Sequence, residues 1–236
     1  MKSSTNNQAL KQVVGRAAAG FLADGMICGM GTGSTARFFI EEAGRRMREE
    51  GLRITGVPTS FQSRLLCQQQ GIPLRDPQDC HHLDLTVDGA DEVDPELNVT
   101  KGGGAAHTVE KLIASMSDQF VVVVDESKLV PRLGTIIGVP IEIILPALSH
   151  VSHVVSRLGG EASLRMGIKK DGPVLTDNGH VVLDAKFGPE VDLRKVDALL
   201  HVTPGVLETG LFFDLATRVL VGVSEGMTVK TLQRNP

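Results

Sequence analysis

The first half of the chain alternates between two hydrophobic spacings, one typical of helices and one typical of buried strands. Apolar residues recur every three or four positions from Leu10 to Phe21, and Asp24-Gly25 ends this pattern, which predicts an amphipathic helix. The apolar run from Met26 to Met30 predicts a strand, and a glycine-rich turn leads from it into a second helix with one apolar face. The same spacings predict strands at 53–57, 83–87 and 120–124, and helices at 60–70 and around 109–116. Strands that alternate with helices indicate a largely parallel sheet with right-handed crossovers.

The second half of the chain follows a different order of elements. We predict strand 139–145, helix 149–158, strand 162–166, a hairpin of 174–175 with 181–185, helix 191–200 and strand 207–213. The order β-α-β-β-α-β resembles a small ferredoxin-like unit. The last apolar run, Val219 to Val223, is predicted to return to the first sheet. The fold class is therefore α/β, with a mostly parallel sheet and a smaller ferredoxin-like domain.

Composition and charge exclude several classes of partner. With a net charge of −4, no Trp or Tyr and eight Phe among 236 residues, the chain has no general attraction for a phosphate backbone and few aromatic side chains on which bases could stack. No run approaches the ~18 apolar residues of a membrane span, and the polar start MKSSTNNQ lacks the apolar core of a signal peptide. Cys28, Cys67 and Cys80 have unrelated spacings, which favours reduced buried thiols. We therefore expect a cytoplasmic protein that binds neither nucleic acid nor membrane.

A glycine-rich turn, Gly31 to Thr35, precedes the second helix. Its backbone N–H groups and its three hydroxyls can converge on an anion such as phosphate at the helix N-terminus. The turn is not a GxGxxG dinucleotide fingerprint, because Ser34 and Ala36 stand where a further glycine would be needed. It also lacks the Gly-Lys-Ser/Thr ending of a P-loop. The alternative is an ordinary strand-to-helix turn with Ser34 as the helix cap.

Acidic residues follow the strand at 83–87. Asp88 and Asp91 are three positions apart, so both carboxylates can face one cavity. They can exchange protons with sugar hydroxyls, bind a hard metal ion or cap a helix, and the spacing does not decide among these roles. Glu92 and Asp94 are expected to be solvated surface charges.

Three further groups stand at the ends of predicted elements. Lys101 is followed by three glycines, which are costly in conformational entropy unless a ligand or chain segment approaches closely. Glu110 lies on the next helix among small neighbours, and its alternative is a surface glutamate. Lys128 follows the strand at 120–124 and can reach a phosphate, or else it is a solvated lysine. Histidines occur at positions 81, 82, 150 and 153 without a recognisable metal-binding pattern, so no metal is expected.

Seven motifs, taken in order, resemble the A-type ribose-5-phosphate isomerases. They are Gly31-Thr-Gly-Ser-Thr-Ala, Val87-Asp-Gly-Ala-Asp-Glu, Lys101-Gly-Gly-Gly-Ala-Ala, Glu110-Lys111, Asp125-Glu-Ser-Lys128, Thr176-Asp-Asn-Gly and Pro204-Gly-Val with Gly210-Leu-Phe. The resemblance implies a Rossmann-like domain over 1–131, completed by about 207–236, with a small α/β lid domain over 132–206. It also implies interconversion of D-ribose 5-phosphate and D-ribulose 5-phosphate in the non-oxidative pentose phosphate pathway, without metal or cofactor, by a homodimer or homotetramer.

The resemblance also implies a role for each site residue. Glu110 is implied as the general base. The residues implied to line the sugar site are Asp88, Gly89, Ala90, Asp91, Lys101, Gly102, Gly103 and Gly104. Those implied to hold the phosphate are Thr32, Gly33, Ser34, Thr35 and Lys128, with Lys11 assisting. The chain departs from the family pattern at His107, Val109 and Glu126, none of which is a catalytic position.

The chemistry of an aldose–ketose isomerisation agrees with these groups. It needs a carboxylate that moves a proton between adjacent carbons and a cation near the developing oxyanion. Two other functions use similar parts: a sugar-phosphate sensor without turnover, and a deaminase or transferase acting on phosphosugars or acyl-CoA. The sequence shows no basic helix-turn-helix before residue 26, and a sensor would not need both Glu110 and Lys101.

Overall fold

The computed structural model describes residues 2–234, and the side chains of residues 7–234. The chain divides into two compact units. The larger unit contains residues up to 90, 109–129 and the segment from 214 onward, and the smaller unit contains 91–108 and 130–213. The chain thus passes between the units four times. The segment 91–108 groups with the smaller unit, whereas the division expected from the sequence assigned it to the first domain.

A six-stranded sheet forms the centre of the larger unit. Its strands are β1 (Ile27–Met30), β2 (Thr55–Pro58), β3 (Leu83–Gly89), β6 (Ser117–Asp125), β12 (Arg218–Val223) and β13 (Thr228–Gln233). Their order across the sheet is β13-β12-β6-β3-β1-β2. All neighbours are parallel except β12 and β13, which are antiparallel. The predicted, mostly parallel sheet is confirmed, as is the return of Val219–Val223 to it.

Helices pack on this sheet through apolar faces. They are α1 (Lys2–Ala19), α2 (Ala36–Glu50), α3 (Phe61–Gln70) and α4 (His107–Ser115), the last of which begins in the smaller unit. Val14 and Phe39 are fully buried in one core with Val121 of β6, because the helical spacing puts their apolar residues on one face. Helix α3 begins with a capping box, in which Ser60 accepts from Ser63 N–H and Ser63 accepts from Ser60 N–H.

The parallel sheet places three segments of the chain at one edge. Strands β1, β3 and β6 run in the same direction, so their carboxyl ends share that edge. The glycine-rich turn follows β1, the Asp88–Ala90 segment ends β3, and a short 3₁₀ turn, Glu126–Lys128, follows β6. Three of the sequence-predicted groups therefore lie at the edge of the sheet where α/β proteins keep their ligands.

The smaller unit is built on a four-stranded antiparallel sheet. Its strands are β7 (Val139–Ile143), β8 (Gly160–Leu164), β9 (Val181–Phe187) and β10 (Val206–Thr209), and its helices are α5 (Leu148–Arg157) and α6 (Leu193–His201). The sheet order is β10-β7-β9-β8, and the chain order is β7-α5-β8-β9-α6-β10. The predicted ferredoxin-like arrangement is therefore confirmed. Its core joins buried residues of both helices and the sheet, among them Ile141, Val151 and Leu200.

Two details of the smaller unit differ from the prediction. The strand predicted at 207–213 is interrupted at Gly210 and continues as β11 (Leu211–Phe212), which pairs with β5 (Val99–Thr100) in a separate three-stranded sheet with β4 (Glu92–Val93). Residues 174–175 form no regular strand, and Leu175 makes only an isolated bridge to Val181.

Among residues 2–234, none of the helices is both long enough and apolar enough to span a membrane.

Candidate active site

The loop Gly31–Thr35 is held in position by hydrogen bonds to two other segments of the chain. Thr32 N–H donates to Asp88 Oδ1 at 2.8 Å, and Thr32 Oγ1 donates to Ser60 Oγ at 2.6 Å. A Cβ at position 31 would lie 2.4 Å from Asp88 Oδ1, so only glycine allows this approach. Thr35, not Ser34, stands at the N-cap of α2, and its side chain makes no capping hydrogen bond. The alternative of a turn capped by Ser34 is therefore wrong.

Two side chains from other elements reach the same loop. Lys11 Nζ of α1 donates to Ser34 Oγ at 3.0 Å, and Gly33 N–H donates to Gln62 Oε1 of α3 at 3.2 Å. A cavity of about 540 Å³ adjoins these contacts, with Arg37 also in its wall. The loop thus combines a lysine, backbone N–H groups and hydroxyls, which is the chemistry of an anion site. Gln62 and Arg37 were not singled out from the sequence, because neither belongs to a recognisable motif.

Asp88 joins the end of β3 to the glycine-rich turn. Its side chain is 1% exposed, and Oδ1 accepts hydrogen bonds from the N–H groups of Thr32 and Gly89, the latter at 2.7 Å. A carboxylate that accepts backbone N–H groups is stabilised in its charged form. Asp88 therefore fixes the position of the turn in addition to any contact it makes with a ligand.

Glu110 lies in the first turn of α4 and is 5% exposed. The alternative of a surface glutamate is therefore wrong. Burial of a carboxylate costs free energy unless polar partners surround it.

Lys128 ends the short turn after β6 and is half-buried. Asp125 shapes this turn, since its Oδ1 accepts from Ser127 N–H at 3.0 Å. Strand β3 lies between β6 and β1, so the turn that carries Lys128 is about 10 Å from the Gly31–Thr35 loop by strand spacing. An anion of phosphate size and a lysine side chain together can span that distance.

In the smaller unit, Asp91 and the Lys101–Gly104 loop come together. Gly103 N–H donates to Asp91 Oδ2 at 2.8 Å, and Lys101 N–H donates to the Gly210 carbonyl at 2.8 Å. Lys101 is 3% exposed, and its Nζ lies 5.7 Å from the centroid of the Phe212 ring. Gly102 has φ +108°, and a Cβ there would lie 2.7 Å from His107 Nδ1. The glycines are therefore required by close approach of neighbouring groups.

Two buried carboxylates of the smaller unit were not recognised from the sequence. Glu92 is fully buried and accepts from Gly134 N–H at 2.6 Å and Thr100 Oγ1 at 2.7 Å, so its prediction as a surface charge is wrong. Glu142 of β7 is also fully buried and accepts from Thr176 Oγ1 at 2.7 Å and from Thr108 Oγ1. It ties the Thr176-Asp-Asn-Gly turn to the start of α4.

Asp94 was also predicted to be a solvated surface charge, and this prediction is wrong as well. Asp94 is half-buried, and its Oδ1 accepts from the N–H groups of Glu96 and Asn98, at 2.9 and 2.8 Å. It therefore shapes the turn between β4 and β5.

In the described part of the chain, one group of His and Asp side chains has ligand-type atoms within 4.8 Å of each other: His82, Asp84 and Asp118. His82 Nε2 hydrogen-bonds to Asp118 Oδ1 at 2.9 Å, and Asp84 Oδ2 accepts from Ile27 N–H at 2.7 Å. Asp84 stands four residues before Asp88 in β3, so this group is about 13 Å from Asp88. It is an ion pair at the opposite end of the strand.

The three thiols are free. Burial raises the pKa of Cys28 and of Cys67 to about 12 in each case, so both thiols stay protonated at neutral pH. Cys28 and Cys67 are buried as predicted, whereas Cys80 is half-buried. A protonated, buried thiol is a poor nucleophile.

The fold and these groups define an α/β enzyme. Its mostly parallel sheet has an anion-type loop at the carboxyl edge, together with buried acidic groups, and a ferredoxin-like unit follows in the chain.

Comparison with known proteins identifies the family. The family model described as Ribose 5-phosphate isomerase A (phosphoriboisomerase A) matches residues 55–226. A protein named Ribose-5-phosphate isomerase A from Thermosynechococcus vestitus is 50% identical over 214 residues, which are 90% of this chain and 91% of that one. The solved structure of ribose 5-phosphate isomerase A from Methanocaldococcus jannaschii superposes with a TM-score of 0.91 at 42% identity, covering 96% of this chain and 99% of that one. The chain belongs to the ribose 5-phosphate isomerase A family.

A further solved structure carries a ligand. It is a D-ribose-5-phosphate isomerase in complex with phospho-erythronic acid, with a TM-score of 0.91, 43% identity, and coverage of 95% of this chain and 98% of that one. The family resemblance expected from the motifs is thereby confirmed.

Proposed function

We propose that this chain interconverts D-ribose 5-phosphate and D-ribulose 5-phosphate through an enediolate, with Glu110 as the general base. The proposal is supported by membership of a family whose relatives carry that name. The observation that carries it is the burial of Glu110 at the start of α4, eight residues after the Lys101-Gly102 pair. A carboxylate withdrawn from solvent is suited to moving a proton without exchange with bulk water.

The reaction conserves atoms and moves two protons. After ring opening, Glu110 takes the proton from C2 of the aldose and returns it to C1 of the enediolate, while the O2 hydroxyl loses a proton and O1 gains one. Asp88 and Asp91 are proposed to handle the hydroxyl protons. Lys101 is proposed to stabilise the negative charge that develops on oxygen, because a buried ammonium acts more strongly on an oxyanion than one in water.

The phosphate supplies binding energy away from the reacting carbons. We propose that Thr32 to Thr35 bind it together with Lys128, and that Lys11 assists, as its contact with Ser34 supports. The backbone at Gly89, Ala90 and Gly102 to Gly104 is proposed to line the sugar. Binding energy from this non-reacting group holds C1 and C2 in position for proton transfer to and from the base.

The family membership also supports finer proposals. They are a place in the non-oxidative pentose phosphate pathway, a cytoplasmic location and a homodimer or homotetramer. Nucleic acid and membrane are not expected as partners, and no cofactor is expected.

The decisive experiment is ketose formation from ribose 5-phosphate by the unmutated enzyme and by Glu110→Gln. The amide keeps the shape of the side chain but cannot accept a proton, so we expect kcat to fall ~10²-fold or more with little change in substrate binding. Glu49→Gln, at the exposed end of α2, is the control and should keep full turnover. Near-normal turnover by Glu110→Gln would refute the base assignment. Tight binding of ribose 5-phosphate without ketose in any variant would favour a sensor.

A further inference from the structure

The Lys101–Gly104 loop is contacted by an arginine that belongs to none of the motifs. Arg165 follows β8 directly, and its Nη1 donates to the Gly102 carbonyl at 2.6 Å and to the Gly103 carbonyl at 3.3 Å. The guanidinium is largely buried, with a side-chain exposure of 16%.

The rest of the guanidinium is held by Asp184 of β9. Nε donates to Asp184 Oδ2 at 2.8 Å, and Nη2 donates to Asp184 Oδ1. This two-point pairing fixes the plane of the guanidinium, so the two N–H bonds of Nη1 point in fixed directions. A lysine ammonium has no such fork and cannot hold both the carboxylate and the loop in this geometry. Asp184 therefore orients the Arg165 guanidinium independently of its contact with the loop.

The contact sets the orientation of two peptide planes. In a trans peptide the carbonyl and the N–H point in opposite directions. The Gly102 carbonyl points to Arg165, and the N–H of the same peptide, on Gly103, donates to Asp91 Oδ2 at 2.8 Å on the other side. The Gly103 carbonyl also faces Arg165, so the Gly104 N–H points away from the guanidinium.

Within the loop itself, Ala105 N–H donates to the Gly102 carbonyl at 3.0 Å, so this carbonyl is shared between a local turn and Arg165. The glycines still need further support. Three consecutive glycines have no side chains to pack, and each one loses much conformational freedom when it is ordered. Gly102 has φ +108° and Ala105 has φ +56°, so the loop visits regions of backbone space that need support from neighbours. Arg165 and Asp91 supply that support from opposite sides.

We propose that Arg165 is a positioning residue of the active site, which orients the Gly102–Gly104 peptides so that the Gly104 N–H donates to a hydroxyl or oxyanion oxygen of the open-chain sugar. This inference rests on the proposed function, in which the loop lines the sugar. Arg165 acts through the loop and Asp184 acts through Arg165. Arg165 and Asp184 therefore affect how the site binds the reacting end of the substrate, whereas other residues bind its phosphate.

The test compares Arg165→Met and Arg165→Lys with Arg157→Met, an exposed arginine at the end of α5 in the same unit. Both Arg165 variants should misplace the loop, whereas the residues that bind the substrate's phosphate are unchanged. We therefore expect kcat to fall ~10- to 100-fold in both variants while KM changes less than threefold. Arg157→Met should match the unmutated enzyme. Asp184→Asn should give an intermediate loss, since it keeps the shape and removes the charge. Rates are normalised to the folded fraction measured by circular dichroism.

A second readout does not depend on activity. In Arg165→Met, the Gly103 amide, which donates to Asp91, should exchange with solvent at least tenfold faster, while amides of β9 keep their protection. Unchanged kcat in Arg165→Met, or a loss that vanishes after normalisation to folded protein, would overturn the inference while ketose formation by the unmutated enzyme upholds the proposed function. Absence of ketose with the unmutated enzyme would overturn both.

Discussion

At the scale of single residues, burial distinguishes three of the functional candidates from ordinary surface charges. Asp88, Lys101 and Glu110 are each at most 5% exposed, whereas Glu126 is exposed. Their types and order in the chain could be recognised from motifs. Their burial could not, because it depends on which distant segments cover them.

Lys128→Ala should mainly weaken the binding of phosphorylated sugars. A charged hydrogen bond to phosphate contributes about 1.5–3 kcal/mol, so its loss should raise KM for ribose 5-phosphate ~10-fold or more. Steady-state kinetics and calorimetric titration measure the effect. Lys230→Ala, on the exposed strand β13, is the matched control. If affinity for ribose 5-phosphate and for free ribose fell equally, the phosphate role of Lys128 would be wrong.

His82 should titrate above its ordinary range. The hydrogen bond to Asp118 raises the pKa of His82 above the value of 6.5 for an isolated imidazole. Because the folded-state pKa is the higher one, the ion pair stabilises the fold fully below pH 6.5 and loses that contribution as the pH rises through the raised pKa. An NMR titration of the unmutated protein and of Asp118→Asn checks this, and equal pKa values in both proteins would contradict it.

At the scale of elements, periodicity predicted most of the fold. Helices and strands with strong apolar spacing were found at the expected places, including α3 between Ser60 and Gly71. Strand β13 was missed because its residues are mostly exposed and carry few apolar side chains, and β4 and β5 are too short to show a pattern. Glu92 and Arg165 were missed for a different reason. Their partners include backbone groups far away in sequence, and a backbone group leaves no signal in the side-chain pattern.

The strand-to-helix turn after β1 should not tolerate a methyl group at its first position. In Gly31→Ala the new Cβ would lie 2.4 Å from both Asp88 Oδ1 and the Val87 carbonyl, so the turn or β3 must move. We expect a loss of ~1–3 kcal/mol in the free energy of unfolding and a large rise in KM. Urea denaturation and steady-state kinetics measure both effects. Gly20→Ala is the control, since its Cβ would meet only the Ala17 carbonyl at 3.1 Å, and an equal effect of both variants would contradict the steric argument.

At the scale of the whole molecule, the expected mechanism needs no metal ion. A carboxylate base and an ammonium near the oxyanion can replace the Lewis acid that a metal would supply. Isomerisation should therefore survive exhaustive chelation, measured as ketose formed from ribose 5-phosphate before and after dialysis against chelator. Complete loss of activity, restored by one metal at stoichiometric amounts, would contradict this and make Asp88 and Asp91 metal ligands. Ions that bind at the group of His82, Asp84 and Asp118, whose nearest member in β3 is about 13 Å from Asp88, should affect thermal stability and leave turnover unchanged.

The position of β6 has a consequence for biosynthesis. Phe120–Val124 of this strand are buried between β3 and β12, yet β12 begins only at Arg218, more than 90 residues after β6 ends. On the ribosome, β6 therefore keeps one edge unpaired until residues 218–223 have been synthesised. Such edges recruit other strands, so this nascent chain is exposed to aggregation and to chaperone capture during that interval. A stop codon that removed β12 and β13 would leave that edge permanently open.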